Sequence, residues 1–161
     1  MYSKQNVGNA GEYYFASILS AHDFISTITL GRAEKYDILA VSNKGKTFKF
    51  SVKTRFFNAD RFPLSKKDET GGADDFFYIF VRLNEFKTEP NYWIIPSLRV
   101  NQVIKESHQF WINQPGVRVK NRKDSDMRNF WLVINRTSMH LFPKNWEKEL
   151  EKYYKNIKQL K

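Results

Sequence analysis

The stretch YDILAVSNKGKTFKFSVKT, residues 36–54, decides the fold. It reads as two strands joined by a tight turn, Asn43-Lys44-Gly45-Lys46, with Gly45 free to take positive φ. Side chains alternate across a strand, so Phe48, Phe50 and Val52 share one face of the second strand and Lys49, Ser51 and Lys53 the other. In the first strand Tyr36, Ile38 and Ala40 point one way, Asp37, Leu39 and Val41 the other. Aspartate is depleted in strand interiors, so Asp37 within an apolar run needs a reason. Pairing the two strands would bring Asp37 near Ser51 and Lys53 on a common face. A carboxylate beside a lysine on a sheet surface is one way to build a site for a divalent metal and a phosphate. The plainer alternative is a cross-strand ion pair worth roughly 0.2–1 kcal/mol.

Upstream, residues 9–22 (NAGEYYFASILSAH) place Tyr14, Ile18 and Ala21 at helical spacing with Phe15 and Leu19 alongside, and Asn9 as cap. Glu12 then falls in the first turn, where the helix dipole alone would favour an acid. Residues 24–30 (FISTITL) read as a strand ended by Gly31. Downstream, residues 55–75 are polar and punctuated by Pro63 and Gly71-Gly72, and read as a long loop of the functional or mobile kind. FFYIFVRL, residues 76–83, is a central strand with both faces covered, and NYWIIP, residues 91–96, a shorter one stopped by proline. Ser97 caps a helix that runs through Val100, Val103, Ile104 and Trp111. Residues 114–128 are turn-rich and basic; the apolar run FWLVI, residues 130–134, is not assigned by periodicity and is read here as a strand. Residues 143–161 read as a final helix burying Trp146, Leu150, Tyr153/Tyr154, Ile157 and Leu160.

At 161 residues the chain has length for one core, which makes 1–161 a single α/β domain of helices against a mixed sheet. Sixteen per cent aromatics argue for a packed globule. The lack of cysteine excludes disulfides, thiolate zinc sites and cysteine nucleophiles, and fits a reducing compartment. Neither a signal peptide nor a run of about 20 apolar residues is present, so a cytoplasmic protein without a membrane partner is expected. The net charge of +10, from 27 basic and 17 acidic residues, favours a polyanionic partner, nucleic acid first among them. His22, His108 and His140 lack metal-ligand spacing, and Trp93, Trp111, Trp131 and Trp146 read as core.

A helix bearing Gly11-Glu12, then strands with Tyr36-Asp37 and Ser51-Val52-Lys53-Thr54, resembles the PD-(D/E)XK, or restriction-endonuclease-like, nuclease superfamily. The resemblance extends to small bacterial proteins of that superfamily. In these, a segment like Leu64-Ser65-Lys66-Lys67-Asp68-Glu69 precedes an aromatic strand like Phe77-Tyr78-Ile79-Phe80-Val81, and a Tyr-x-Ile-x-Pro segment follows, here Tyr92 to Pro96. It covers about residues 8–112. It implies an αβββ core with added strands and a C-terminal helix, and a metal-dependent nuclease that hydrolyses DNA phosphodiester bonds.

On that resemblance Asp37 and Glu12 would hold Mg2+ or Mn2+, and Lys53 would position or activate the attacking water and steady the phosphate. Ser51 stands where the superfamily usually carries a second acid. Another acid then takes its place, Glu12 foremost with Glu34 and Glu69 behind it, or the metal is held weakly, or catalysis has been lost. Arg55, Arg61, Lys66, Lys67, Arg118, Lys120, Arg122 and Lys123 are phosphate contacts or solvated charge. Three readings stay open: a nuclease, a non-catalytic nucleic-acid-binding domain on the same fold, and a protein-interaction or regulatory domain. The oligomeric state is open too, a homodimer included.

Overall fold

The computed structural model describes residues 2–29, 36–114, 122–133 and 142–160. In chain order these form α1 (Lys4–Ala21), β1 (Ile25–Ile28), β2 (Ile38–Val41), β3 (Thr47–Arg55), β4 (Arg61–Ser65), β5 (Phe76–Arg82), β6 (Asn91–Pro96), α2 (Ser97–Ile112), β7 (Met127–Trp131) and α3 (Trp146–Glu151). Five strands make one mixed sheet in the order β1-β2-β3-β5-β6, while β4 and β7 pair apart from it. β3 and β5 are parallel, with Ser51 opposite Tyr78 and Lys53 opposite Phe80; the other ladders are antiparallel.

The period-2 pattern of β3 divides the interior. Phe48, Phe50 and Val52 join Phe15 and Leu19 of α1 in one core, with Phe77, Ile79 and Val81 of β5. Tyr78 and Phe80, on the other face of β5, join Val100, Val103 and Ile104 of α2 and the β4–β7 ribbon in a second core. Every residue of β5 is buried, as a strand covered on both faces must be. A leading helix, three antiparallel strands, a fourth parallel to the third and helices on both faces give the αβββ core with added strands expected from the sequence. The turn between β2 and β3 has Gly45 at φ 77°.

Four local expectations are corrected. α1 starts at Lys4 rather than residue 9, because Ser3 Oγ caps it by accepting the Asn6 N–H at 3.0 Å. Glu12 therefore lies two turns inside the helix, and the dipole does not account for it. Residues 55–75 are not one loop: Phe62 and Leu64 alternate into the second core, forming β4, and a 3₁₀ turn, Lys66–Glu69, follows. Pro63 is accommodated because β4 has a single strand partner. Ser97 does not cap α2; its hydroxyl bonds the N–H and C=O of Ala73 at 3.0 and 3.1 Å.

The last correction concerns the C-terminus, where the helix stops after Glu151. The chain then adds to the edge of β6, Ile94 N–H donating to Tyr153 O and Lys155 N–H to Tyr92 O, both at 3.0 Å. Trp146 and Leu150 enter the second core, Ile157 and Leu160 the first. One straight helix presents one apolar stripe and cannot serve both faces of a sheet. Among the tryptophans, Trp146 is buried but Trp111 is 36% exposed, under the Arg122 guanidinium. Among the described residues no helix is long and apolar enough to cross a membrane.

Candidate active site

Asp37 immediately precedes β2. Its N–H donates to Phe50 O at 2.7 Å, which carries the ladder one residue further and sets its side chain on the Ser51 face of β3. Asp37 Oδ2 accepts the Val52 N–H at 2.6 Å and the Ser51 hydroxyl at 3.3 Å. Oδ1 accepts no hydrogen bond among the described residues. Lys53 lies two residues on, on the same face as Ser51. It forms no hydrogen bond or ion pair among the described residues.

Glu12 arrives from α1, and Gly11 is what lets the helix come so close. A Cβ at Gly11 would lie 1.9 Å from Thr54 Oγ1, so only a residue without a side chain rests there on β3. Half-buried, the Glu12 carboxyl is pushed above its ordinary value by burial first and then by the negative charge of Asp37, against the pull of Lys53. Glu12, Asp37 and Lys53 thus share one electrostatic site, with Ser51 buried beneath Asp37 at 4% exposure.

Of the weaker acid candidates, Glu69 is paired with buried Arg128, and Glu34 lies outside the described residues. The further acid that the structure brings near is Asp68, to which the sequence reading gave no role. Its Oδ2 accepts the Ser65 N–H at 2.7 Å and hydroxyl at 2.8 Å, and its Oδ1 accepts the Tyr78 hydroxyl at 2.9 Å. Burial pushes the Asp68 carboxyl up, but the hydrogen bonds from Ser65 and Tyr78 and the charge of Lys53 outweigh it and leave it below the ordinary range. Tyr78, opposite Ser51, has its phenol held far above its usual value by burial, then by Asp68, with Asp37 adding to the effect. The sequence did carry a signal: Ser65-x-x-Asp68 is the spacing at which a serine and an acid bond reciprocally at a helix start.

Among the described residues no group of three His, Cys, Asp or Glu could hold a metal ion. What the site offers is two carboxylates, Glu12 and Asp37, whose mutual repulsion a cation would relieve. Such a pair fits magnesium, which retains several waters and takes one or two protein carboxylates together with substrate phosphate. It does not make a full protein cage.

The basic residues separate into engaged and free. Lys66 pairs with Asp124 at 2.9 Å, and Arg122 Nη1 donates to Trp111 O at 2.9 Å. Arg128, of the same basic cluster, is buried against Glu69 and Asp124 and holds structure rather than facing a phosphate. Lys67 and Lys123 are exposed, whereas Arg118 and Lys120 lie outside the described residues. Arg55 Nε donates to Arg61 O at 2.9 Å, and burial, then the neighbouring Arg61 charge, lowers the Arg55 pKa. His108 Nε2 lies 2.8 Å from Asp124, His22 ends α1, and His140 is outside the described residues.

No protein-family model matches the chain, and no curated protein matches it. Several solved structures resemble it, including a homing endonuclease, a resolvase and MepB. The bacterial homing endonuclease I-Ssp6803I has 14% identity and a TM-score of 0.45, with all of both chains covered. Hjc, a Holliday junction resolvase from Archaeoglobus fulgidus, has 12% identity and a TM-score of 0.45, over 88% of this chain and 93% of the resolvase. MepB has 11% identity and a TM-score of 0.36, over 93% of this chain and 95% of MepB. At these values the likenesses carry no residue role and no activity to this chain.

Proposed function

We propose that the chain is a nuclease that hydrolyses DNA phosphodiester bonds with a divalent cation, magnesium or manganese, held by Glu12 and Asp37. The supporting observation is that Asp37 is locked by Ser51 and Val52, and that Glu12 is coupled to Asp37 and to Lys53, which forms no ion pair among the described residues. A structural cross-strand ion pair would have bound Lys53 to Asp37, and no such pair is formed.

Bound there, the cation would supply positive charge against the phosphate oxygens and make water more acidic. Lys53 sets its ammonium against the scissile phosphate and donates a hydrogen bond to the attacking water. Ser51 spends its hydroxyl proton on Asp37 and so acts through that carboxylate rather than as an acid of its own. Asp68, held by three hydrogen bonds, sets a fixed negative charge near Lys53 and helps to orient its ammonium. Arg55, Arg61, Lys67 and Lys123 draw the DNA backbone in.

A non-catalytic nucleic-acid-binding domain on the same fold is the second reading, favoured by Ser51 in place of an acid and by the two-carboxylate donor set. Supercoiled-plasmid nicking in magnesium and in manganese decides between them. Nicking by the wild type that is lost in Asp37→Ala and Lys53→Ala supports the nuclease. Equal nicking by wild type and Lys53→Ala refutes it, and so does absence of cleavage, in both metals, of the plasmid and of circular single-stranded DNA alike.

A further inference from the structure

Beside Lys53 a groove of about 770 Å³ opens between the start of α1 and the chain that leaves β3. That volume is within the roughly 300–1,000 Å³ of small-molecule sites. Its rim carries rings that the core does not use: Tyr2 is 68% and Phe57 61% exposed, both against Phe56. Tyr2 and Phe56 have centroids 4.2 Å apart, and Phe57 stands edge-on to Phe56 at 5.3 Å. Lys4, Lys53 and Arg55 line the same groove.

Cations without an ion pair among the described residues occur elsewhere too, Lys67 and Lys123 among them, but the groove sets three of them beside exposed rings. Lys49, Lys66, Arg82, Arg99, Arg128 and Lys155 each pair with an acid. Lys4, Lys53 and Arg55 have no ion pair among the described residues, nor has Arg61, whose carbonyl holds Arg55. An inorganic anion would leave the rings unused, and an apolar ligand would leave the cations unused. A nucleotide uses both, its base on the rings and its phosphates on the cations. In an intact duplex the base faces are stacked and cannot reach such rings.

We infer that the Tyr2–Phe56–Phe57 groove is a subsite for an unpaired nucleotide next to the phosphate held at Lys53. The substrate is then DNA with single-stranded character at the cut: a single strand, a bulge or a branch, rather than a continuous duplex. This rests on the nuclease reading for its role in turnover, while the binding it claims is measured without turnover.

The experiment is fluorescence anisotropy in EDTA with labelled oligodeoxynucleotides of about 12 nucleotides. They are offered as a single strand, as a perfect duplex and as the duplex with one unpaired thymidine. The single strand and the bulged duplex are expected to bind about tenfold more tightly than the perfect duplex at the same salt. Phe57→Ala should remove about that factor on both and leave duplex affinity and salt dependence unchanged, with Phe57→Trp restoring it. Because Phe57 is exposed, both variants should melt like the wild type. Equal affinity for single strand and duplex overturns the subsite, as does a Phe57→Ala that weakens neither or weakens all three alike. Loss of the nuclease reading shows instead in the nicking assay, with the single-strand preference intact.

Discussion

Val52 donates its backbone N–H to Asp37 Oδ2 at 2.6 Å, just past Phe50, the last residue of β3 that pairs with β2. The carboxylate thus takes over where the strand ladder ends, and one group holds both fold and site. Hydrogen bonds to an ionised acceptor contribute about 1.5–3 kcal/mol. Asp37→Ala should therefore lower stability in urea unfolding by about that amount, as well as abolishing cleavage. Asp37→Asn, which keeps an acceptor oxygen, should lose cleavage but retain most of the stability. Equal stability of Asp37→Ala and wild type would remove the structural half of this role.

The contact between Gly11 and Thr54 sets how far Glu12 reaches. A methyl at position 11 would overlap the Thr54 side chain, whose Cβ and Cγ2 are also within 3 Å of it. Overpacking of this kind costs about 1–3 kcal/mol. Gly11→Ala should lose that much stability and, by lifting α1, weaken metal binding; Thr54→Ala in the same chain should recover part of both. Thr54 Oγ1 is itself buried with no hydrogen-bond partner among the described residues, so Thr54→Val should be neutral or stabilising. Thermal melts of the three variants and wild type, with and without manganese, give the answer.

Alternation alone made much of the site legible: an aspartate inside an apolar strand, facing a serine and a lysine across a turn fixed by Gly45. The central strand was equally plain, since seven consecutive buried residues leave no polar face to misread. What stayed hidden depended on contacts distant in sequence. β4 was obscured by Pro63 and its flanking charges, because the burial of Phe62 and Leu64 is set by β7, more than 60 residues away. The C-terminal segment kept a helical pattern through Leu160, yet the open edge of β6 captured it at Tyr153 to Lys155. Asp68 was hidden because its importance comes from Tyr78 and Lys53, on two other strands.

Arg128 and Glu69 tie the turn that carries Asp68 to β7. Removing one partner of a buried ion pair strands the other charge, at about 3–5 kcal/mol. Arg128→Ala should thus be among the most destabilising single substitutions in the chain. Glu69→Ala should release the turn and reduce cleavage through Asp68, although Glu69 itself faces Arg128. Denaturant midpoints with nicking rates measure both. A stable, fully active Arg128→Ala would refute the coupling.

Ser51→Glu tests whether the missing acid limits the metal. The position is almost fully buried and its hydroxyl donates to Asp37, so a carboxylate there replaces a donor by a like charge. Without metal the variant should be less stable than wild type. With manganese, whose preference is for carboxylate and water ligands, it should gain more in Tm than wild type does, because the third acid is neutralised only when the cation binds. Wild-type cleavage should be faster in manganese than in magnesium, and the difference should narrow in Ser51→Glu. A variant whose Tm does not respond to either metal would mean that position 51 does not face the cation.

Glu12 gives the site its pH dependence. Its carboxyl is raised by burial and by Asp37, so in the folded chain it holds a proton at pH values where the unfolded chain has lost it. A raised folded value contributes stability that is complete below the unfolded pKa and is lost as pH rises through the folded one. The metal-free protein should therefore lose stability on going from about pH 4 toward neutrality by the amount due to this group. A bound cation reverses the balance, since it favours ionised Glu12 and makes metal uptake release a proton over that window. Glu12→Gln cannot titrate. In EDTA it should show a flatter dependence of Tm on pH than wild type, and a higher Tm than wild type near neutrality. In manganese it should bind more weakly, with no proton release assignable to this position. Tm across the pH range, and calorimetric titration of manganese in two buffers of different ionisation enthalpy, measure the two halves separately. Parallel Tm curves for wild type and Glu12→Gln, with identical proton release, would place Glu12 outside the site.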